Sequence, residues 1–204
     1  RNPDCATCYA GLGEAVLYAP DGAQARLDES ETYLRRAIAL NPKLAFPRYT
    51  LGTLLLLRGR YQQAEASLKT YMELAPGVPD APVRLALVYL VQDRPGEAIP
   101  LLLWSLKLEG RSLRSVPEAR SVPGGGDSAR SFEEAIRLLG DRVDDLEFLG
   151  RSLIQQGKIE PAVSALRRAV AVAPAAPGPR FWLAKAYEQS GRPDLAREEA
   201  ATLR

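Results

Sequence analysis

Residues 51–55 read Leu-Gly-Thr-Leu-Leu, and residues 85–89 read Leu-Ala-Leu-Val-Tyr. The small residue of this pattern moves from position 52 to position 86, which is 34 residues further along the chain. Residues 149–153, Leu-Gly-Arg-Ser-Leu, and residues 183–187, Leu-Ala-Lys-Ala-Tyr, are separated by the same 34 residues. A fixed period of this length indicates a stack of similar units, each packed against its neighbours.

Each unit contains two apolar patterns with helical spacing, separated by a short turn. Leu51 and Leu55 share one face of the first helix, and Ala64 and Leu68 share one face of the second. Gly59 lies between them and ends the first helix, because glycine readily adopts the left-handed conformation of a C-terminal cap. The predicted helix pairs are 45–58 with 61–74, 79–92 with 95–108, 143–156 with 159–172, and 177–190 with 193–203.

This order of small, turn-forming and closing residues resembles the tetratricopeptide repeat (TPR) family. The matching residues are Leu51, Gly52, Gly59, Ala64 and Pro76, and again Leu149, Gly150, Gly157, Ala162 and Pro174. The resemblance implies an all-α solenoid, an α-α superhelix of about five helical hairpins. It also implies protein or peptide partners, although a shared fold does not specify which process they serve.

The repeat is irregular at two places. The first hairpin, in residues 1–110, has a longer loop than the other two hairpins of that range. Between residues 111 and 142 the period fails, and two further hairpins follow in residues 143–204. Because Asn2-Pro3 repeats the Asn41-Pro42 that closes a unit, we expect further repeats upstream of this sequence.

The irregular segment 111–142 combines a glycine-rich loop with one helix. Ser131 and Glu134 have the spacing of a capping box, which predicts a helix from there through Leu139. The segment is either a linker or a degenerate repeat that has lost its first helix. Phe132 and Ala135 have the spacing of a second helix, which favours the degenerate repeat.

Composition excludes several kinds of chemistry. The chain has no histidine, so it contains neither a serine–histidine triad nor a histidine metal site. Lys+Arg number 27 against 25 for Asp+Glu, a near-balance that argues against nucleic-acid binding. No apolar run is long enough to predict a membrane-spanning helix. We therefore expect no enzyme activity, no cofactor, no bound metal and no membrane insertion.

Cys5 and Cys8 form the only motif with a recognised chemistry. A c-type haem site requires histidine after the second cysteine, where this chain has Tyr9. The pair is interpreted as two small, partly buried helix residues. A local disulfide and a redox or metal role are the alternatives.

The TPR resemblance places the partner-binding groove on one face of the first helices. The predicted groove residues are Phe46, Tyr49, Thr53, Leu56, Asp80, Val83, Leu87, Leu90, Glu147 and Arg151. This stripe is mostly apolar in the earlier units, whereas in the later units it becomes polar and continues to Phe181, Lys185 and Glu188. Thr53, Val83 and Leu87 stand where a chaperone-tail clamp would need polar groups, so we do not expect that ligand.

The predicted function is a protein–protein interaction scaffold that binds a peptide or helix of its partner in this groove. Two alternatives are a structural subunit held permanently in a larger assembly and the TPR regulatory part of a longer enzyme. The Arg-, Ala- and Pro-rich composition suggests a bacterial source.

Overall fold

A computed structural model describes residues 5–17, 24–110 and 128–202 of the chain. Within these ranges the chain forms eleven helices and no strand. The helices are α1 (Ala6–Leu17), α2 (Gln24–Leu40), α3 (Phe46–Leu57), α4 (Tyr61–Leu74), α5 (Asp80–Val91), α6 (Pro95–Leu108), α7 (Ser128–Leu139), α8 (Val143–Gln155), α9 (Ile159–Val172), α10 (Pro177–Gln189) and α11 (Pro193–Ala201). The predicted all-α fold is confirmed, and the boundaries of the eight helices predicted in pairs agree to within two residues.

The turns inside the hairpins depend on a left-handed residue. Gly59, Gly157 and Gly191 have φ angles of 70°, 73° and 71°, where a side chain would be strained. After Gly59 the chain closes the cap with a hydrogen bond from the Arg60 N–H to the Leu55 carbonyl, at 2.9 Å. The turn between α5 and α6 uses Asp93 at the same conformation, with φ of 59°.

Close approach of the two helices in a hairpin depends on glycine. A Cβ added to Gly52 would lie 2.6 Å from Cγ of Leu68, and one added to Gly150 would lie 2.4 Å from Cγ of Leu166. Both leucines are completely buried, so they have no empty space to move into. The small residues at these two positions therefore let the paired helices approach closely.

The chain divides into two compact units. The first, Arg1–Val88, contains α1 to α4 and most of α5, and its core includes Leu34, Leu54 and Leu68. The second, Tyr89–Arg204, contains the end of α5 and α6 to α11, and its core includes Leu102 and Leu146. The repeat boundaries at residues 110 and 142 remain a prediction.

Helix α7 differs from its prediction at its start. It begins at Ser128, so Ser131 lies inside the helix and does not cap it, and Glu134 instead pairs with Arg137 at 2.6 Å. Phe132 and Leu139 are buried, and α7 packs against α6 and α9. The predicted glycine-rich loop (residues 111–127) and most of the extended first-hairpin loop (18–23) lie outside the described residues.

One further interpretation is corrected by the structure. Cys5 and Cys8 are joined as a disulfide, with their Sγ atoms 1.99 Å apart, so they are not free helix residues.

Candidate partner-binding surface

Five of the ten predicted groove residues are buried. Thr53 and Leu56 in α3 are 2% and 1% exposed, and Val83, Leu87 and Leu90 in α5 are between 0% and 2% exposed. The expectation of an exposed apolar strip along these two helices is therefore wrong. The accessible members of the predicted set are Phe46, Tyr49, Asp80, Glu147 and Arg151.

The burial has a reason that the sequence contains. Residues 50–56 in α3 and 85–91 in α5 are buried at every position, not along one stripe. A helix that is apolar on all sides is normally enclosed by its neighbours, whereas a groove-lining helix has a distinct polar face. The runs Leu54–Leu57 and Leu85–Val91 thus indicate enclosed helices.

In the first unit, the accessible residues surround Tyr49. Its ring lies 5.3 Å from that of Tyr71, and the Arg84 guanidinium lies 5.7 Å from its centroid. Arg84 Nη2 donates a hydrogen bond to the Tyr49 hydroxyl at 3.3 Å. Burial raises the pKa of the Tyr71 hydroxyl, and neighbouring Tyr49 and Asp80 raise it further. These side chains hold each other in place beside the exposed ring of Phe46.

In the second unit, α8 and α10 place two cations against two aromatic rings. The Arg151 guanidinium lies 4.8 Å from the centroid of the Trp182 ring, and Trp182 meets Phe181 edge-on at 5.2 Å. Lys185 Nζ lies 5.3 Å from the Phe181 ring and 5.7 Å from that of Trp182. Phe181 is 46% exposed, the highest value among the large apolar side chains that the structure describes. We call Arg151, Phe181, Trp182 and Lys185 the cation–aromatic surface.

Neither cation of this surface forms a salt bridge, although Glu147 interacts with Arg151 electrostatically at a longer distance. Among the described residues, no Asp or Glu oxygen lies within 4.0 Å of the charged nitrogens of Arg151 or Lys185. Other cations of the same unit do form such pairs, for example Arg180 with Glu199 and Lys158 with Asp93, both at 2.6 Å. Arg151 Nε is buried without a hydrogen-bond partner, so only the two Nη groups of Arg151 and the Lys185 ammonium are left for water or for a ligand.

Glu147 lies at the edge of the cation–aromatic surface. Its carboxylate packs against the start of α10, so closely that a Cβ on Gly178 would overlap its Oε2. Burial raises the pKa of the Glu147 carboxyl, Arg151 lowers it, and Asp144 raises it. The net direction is upward, so this carboxyl binds its proton more readily than an exposed glutamate does.

Sequence comparison now identifies the family. Two tetratricopeptide repeat profiles match the chain, one over residues 55–103 and one over residues 149–203, and together they cover about half of it. The chain belongs to the tetratricopeptide repeat family. The second matched range contains the whole cation–aromatic surface, which therefore spans two TPR hairpins. No curated protein matches the TPR chain in sequence.

One solved TPR structure shares the fold, and two further solved structures are similar over most of their length. A thermophilic TPR protein of Thermus thermophilus, TTC0263, is 20% identical, with a TM-score of 0.57 over 98% of this chain and 90% of its own. YrrB, a TPR protein with an unusual peptide-binding site, is 14% identical, with a TM-score of 0.49 over 99% and 86% of the two chains. MamA from Desulfovibrio magneticus RS-1 is 17% identical, with a TM-score of 0.47 over 97% and 92%.

The TPR fold is in general a non-catalytic scaffold for protein–protein interaction, and this chain has that scaffold. Within the described ranges, no helix combines the length and apolar character that a bilayer span requires. The same ranges contain no cluster of three or more Cys, Asp or Glu side chains suited to a metal ion.

The sequence prediction named Arg151 and Glu147 as groove residues but did not include Trp182. Phe181 and Lys185 lie on the predicted stripe of α10, and Trp182 is adjacent to Phe181. The contact between Arg151 and Trp182 could not be predicted, because the two residues lie on different helices and are 31 positions apart in sequence.

Proposed function

We propose that this TPR protein binds a segment of a partner protein on the cation–aromatic surface of α8 and α10. The segment carries a carboxylate that accepts hydrogen bonds from Arg151 and Lys185, beside an apolar or aromatic residue that packs on Phe181. Phe46, Tyr49 and Asp80 form a separate contact surface on the first unit. The buried residues Thr53, Leu56, Val83, Leu87 and Leu90 hold the helices of the scaffold and do not touch the partner.

The proposal rests on the observation that, among the described residues, neither cation is held in a salt bridge. A cation over an aromatic face keeps its charge available, and it is attracted to the ring by about 0.5–2 kcal/mol. A partner carboxylate meeting such preorganised donors forms charge-assisted hydrogen bonds, which are stronger than neutral ones. Arginine and aromatic side chains also dominate measured binding energies at protein interfaces.

The alternatives differ in what covers this surface. A structural subunit would have it buried permanently by a neighbour, and the TPR part of a longer enzyme would apply it to a segment of its own chain. Two aromatic rings beside two cations that form no salt bridge would bind either of these occupants through the same contacts. Partner binding in trans is the alternative that can be measured with the chain alone.

The test is selection of peptides from a random displayed library on the immobilised chain. We expect selected sequences to combine Asp or Glu with an adjacent aromatic or leucine residue. Arg151→Ala and Lys185→Ala should each weaken binding of a selected peptide about tenfold, which corresponds to roughly 1.4 kcal/mol. Added salt should weaken it further, because the contact is between charges.

Arg168→Ala is the matched control, since it removes an exposed arginine of the same unit that lies on α9. It should leave peptide affinity unchanged. Equal affinity of the selected peptides for the native chain and for the Arg151 and Lys185 variants would place the binding site elsewhere. Circular dichroism spectra of all variants should match, because the three substituted side chains are not buried.

A further inference from the structure

The disulfide between Cys5 and Cys8 does not link separate elements of the fold. Cys5 directly precedes α1, and Cys8 lies in its first turn, so both belong to the same helix end. The bridge spans a sequence separation of only 3, and a short ring constrains the unfolded chain less than a long one. A stapling role is therefore the weakest explanation for a Cys-X-X-Cys pair at this place.

The two sulfurs are not equivalent. The Cys8 side chain is exposed, whereas Cys5 is only partly exposed. Cys5 Sγ accepts a hydrogen bond from the Cys8 N–H at 3.2 Å and lies 3.5 Å from Oγ1 of Thr7. An N–H at the start of a helix stabilises negative charge, so Cys5 is the sulfur better able to leave as a thiolate.

We propose that Cys5–Cys8 is a thiol–disulfide exchange site, reduced and reoxidised by thiols of the glutathione class. A glutathione thiolate attacks the exposed Cys8 Sγ, the Cys5–Cys8 bond breaks, and its electron pair goes to Cys5 Sγ. A second glutathione thiolate then attacks the glutathione sulfur bound to Cys8 and releases Cys8 as a thiolate. The protons lost by the two glutathione thiols balance the two new protein thiols, and the products are the dithiol chain and glutathione disulfide.

The asymmetry predicts where a thiol first adds. Attack at Cys8 places glutathione on the exposed cysteine. It releases Cys5 as a thiolate, whose sulfur already accepts a hydrogen bond from the Cys8 N–H. Attack at Cys5 would instead expel Cys8, whose sulfur accepts no hydrogen bond in the described structure. The exchange intermediate should therefore carry glutathione on Cys8.

The first experiment equilibrates the full chain with mixtures of reduced and oxidised glutathione at about pH 10, above the usual pKa of a cysteine thiol, followed by acid quenching, alkylation and mass measurement. The folded chain should be reduced about fivefold more readily than the same chain in concentrated urea at this pH, the factor expected when a helix start stabilises one ionised thiolate. A chain double-substituted Cys5→Ser and Cys8→Ser provides the blank. A folded chain that is reduced no more readily than the unfolded chain overturns the proposal.

The second experiment quenches the reaction early with acid and locates the bound glutathione by fragment mass spectrometry. Glutathione on Cys8 supports the assigned direction of attack. Glutathione on Cys5, or equal amounts on both, contradicts it. Because the pair is distant in sequence from Arg151 and Lys185, neither result depends on the peptide selection.

Discussion

Replacing Gly13 by alanine tests the close packing of the hairpins against a control in the same helix. Both Gly11 and Gly13 lie in α1, two residues apart, and both have ordinary helical φ angles. A Cβ on Gly13 would lie 2.6 Å from Cγ of Leu34 and 3.3 Å from the Ser30 carbonyl oxygen. A Cβ on Gly11 would meet no atom within 4 Å.

The magnitude follows from two opposing effects. Glycine to alanine inside a helix stabilises the folded state by roughly 0.8–1 kcal/mol, and this gain applies to both variants. Leu34 is completely buried, so the Gly13 variant also suffers overpacking, which costs about 1–3 kcal/mol. Gly11→Ala should therefore stabilise the hairpin. Gly13→Ala should be less stable than Gly11→Ala by the full overpacking cost, about 1–3 kcal/mol.

The assay is amide hydrogen exchange of α1 and α2, supported by thermal unfolding followed by circular dichroism. Hydrogen exchange is the sharper measurement because repeat proteins can unfold in parts, and it reports each hairpin separately. Amides of α1 and α2 should exchange faster in Gly13→Ala than in Gly11→Ala. If Gly13→Ala protects these amides as well as Gly11→Ala does, the glycine is not required by Leu34 and the packing explanation fails.

Three further predictions concern other parts of the chain. Leu87→Ala should destabilise the fold by about 2–5 kcal/mol in urea unfolding, because Leu87 is completely buried; a loss below about 1 kcal/mol would restore it as a groove residue. Glu147→Gln should stabilise the chain at neutral pH and lose this advantage in acid. The raised pKa of Glu147 means that folding favours its protonated form, which glutamine imitates at every pH. A difference in urea midpoint between the variant and the native chain that does not change with pH would contradict this. Glu31→Gln should destabilise the first unit by about 1–3 kcal/mol, because buried Glu31 pairs with Arg35, Arg58 and Arg60; unchanged melting would show that these pairs contribute nothing.

The repeat could be predicted from sequence because its determinants are local. A small residue at 52 or 150, a glycine at 59 or 157 and a leucine at 68 or 166 each have one structural task within about 20 residues. These tasks recur every repeat, so the helix boundaries follow from counting. The start of α7 was misplaced because Ser131 and the residues after it have the sequence of a helix cap. The three residues before Ser131 are already helical, so Ser131 lies inside α7.

The proposed binding surface was harder to predict because it depends on contacts between repeats. The stripe on α5 satisfies the spacing of a groove, yet spacing alone does not tell whether another helix covers that face. Exposure of Phe181 and stacking of Arg151 on Trp182 arise only when α8 and α10 lie side by side. The disulfide was undecided for a related reason, since Cys-X-X-Cys spacing permits a free pair as well as a bonded one.

Equivalent positions of the repeat explain why the proposed contact with a charged ligand lies in the later hairpins. Positions 53, 87, 151 and 185 occupy the same place in their units, and they hold Thr, Leu, Arg and Lys. Thr53 and Leu87 are buried, where an unpaired cation would be prohibitively costly, whereas Arg151 and Lys185 keep access to solvent. A charge is tolerated at this position only where the neighbouring repeat leaves it open. Substitutions at 53 and 87 will therefore change stability first, and substitutions at 151 and 185 will change recognition while leaving the fold intact.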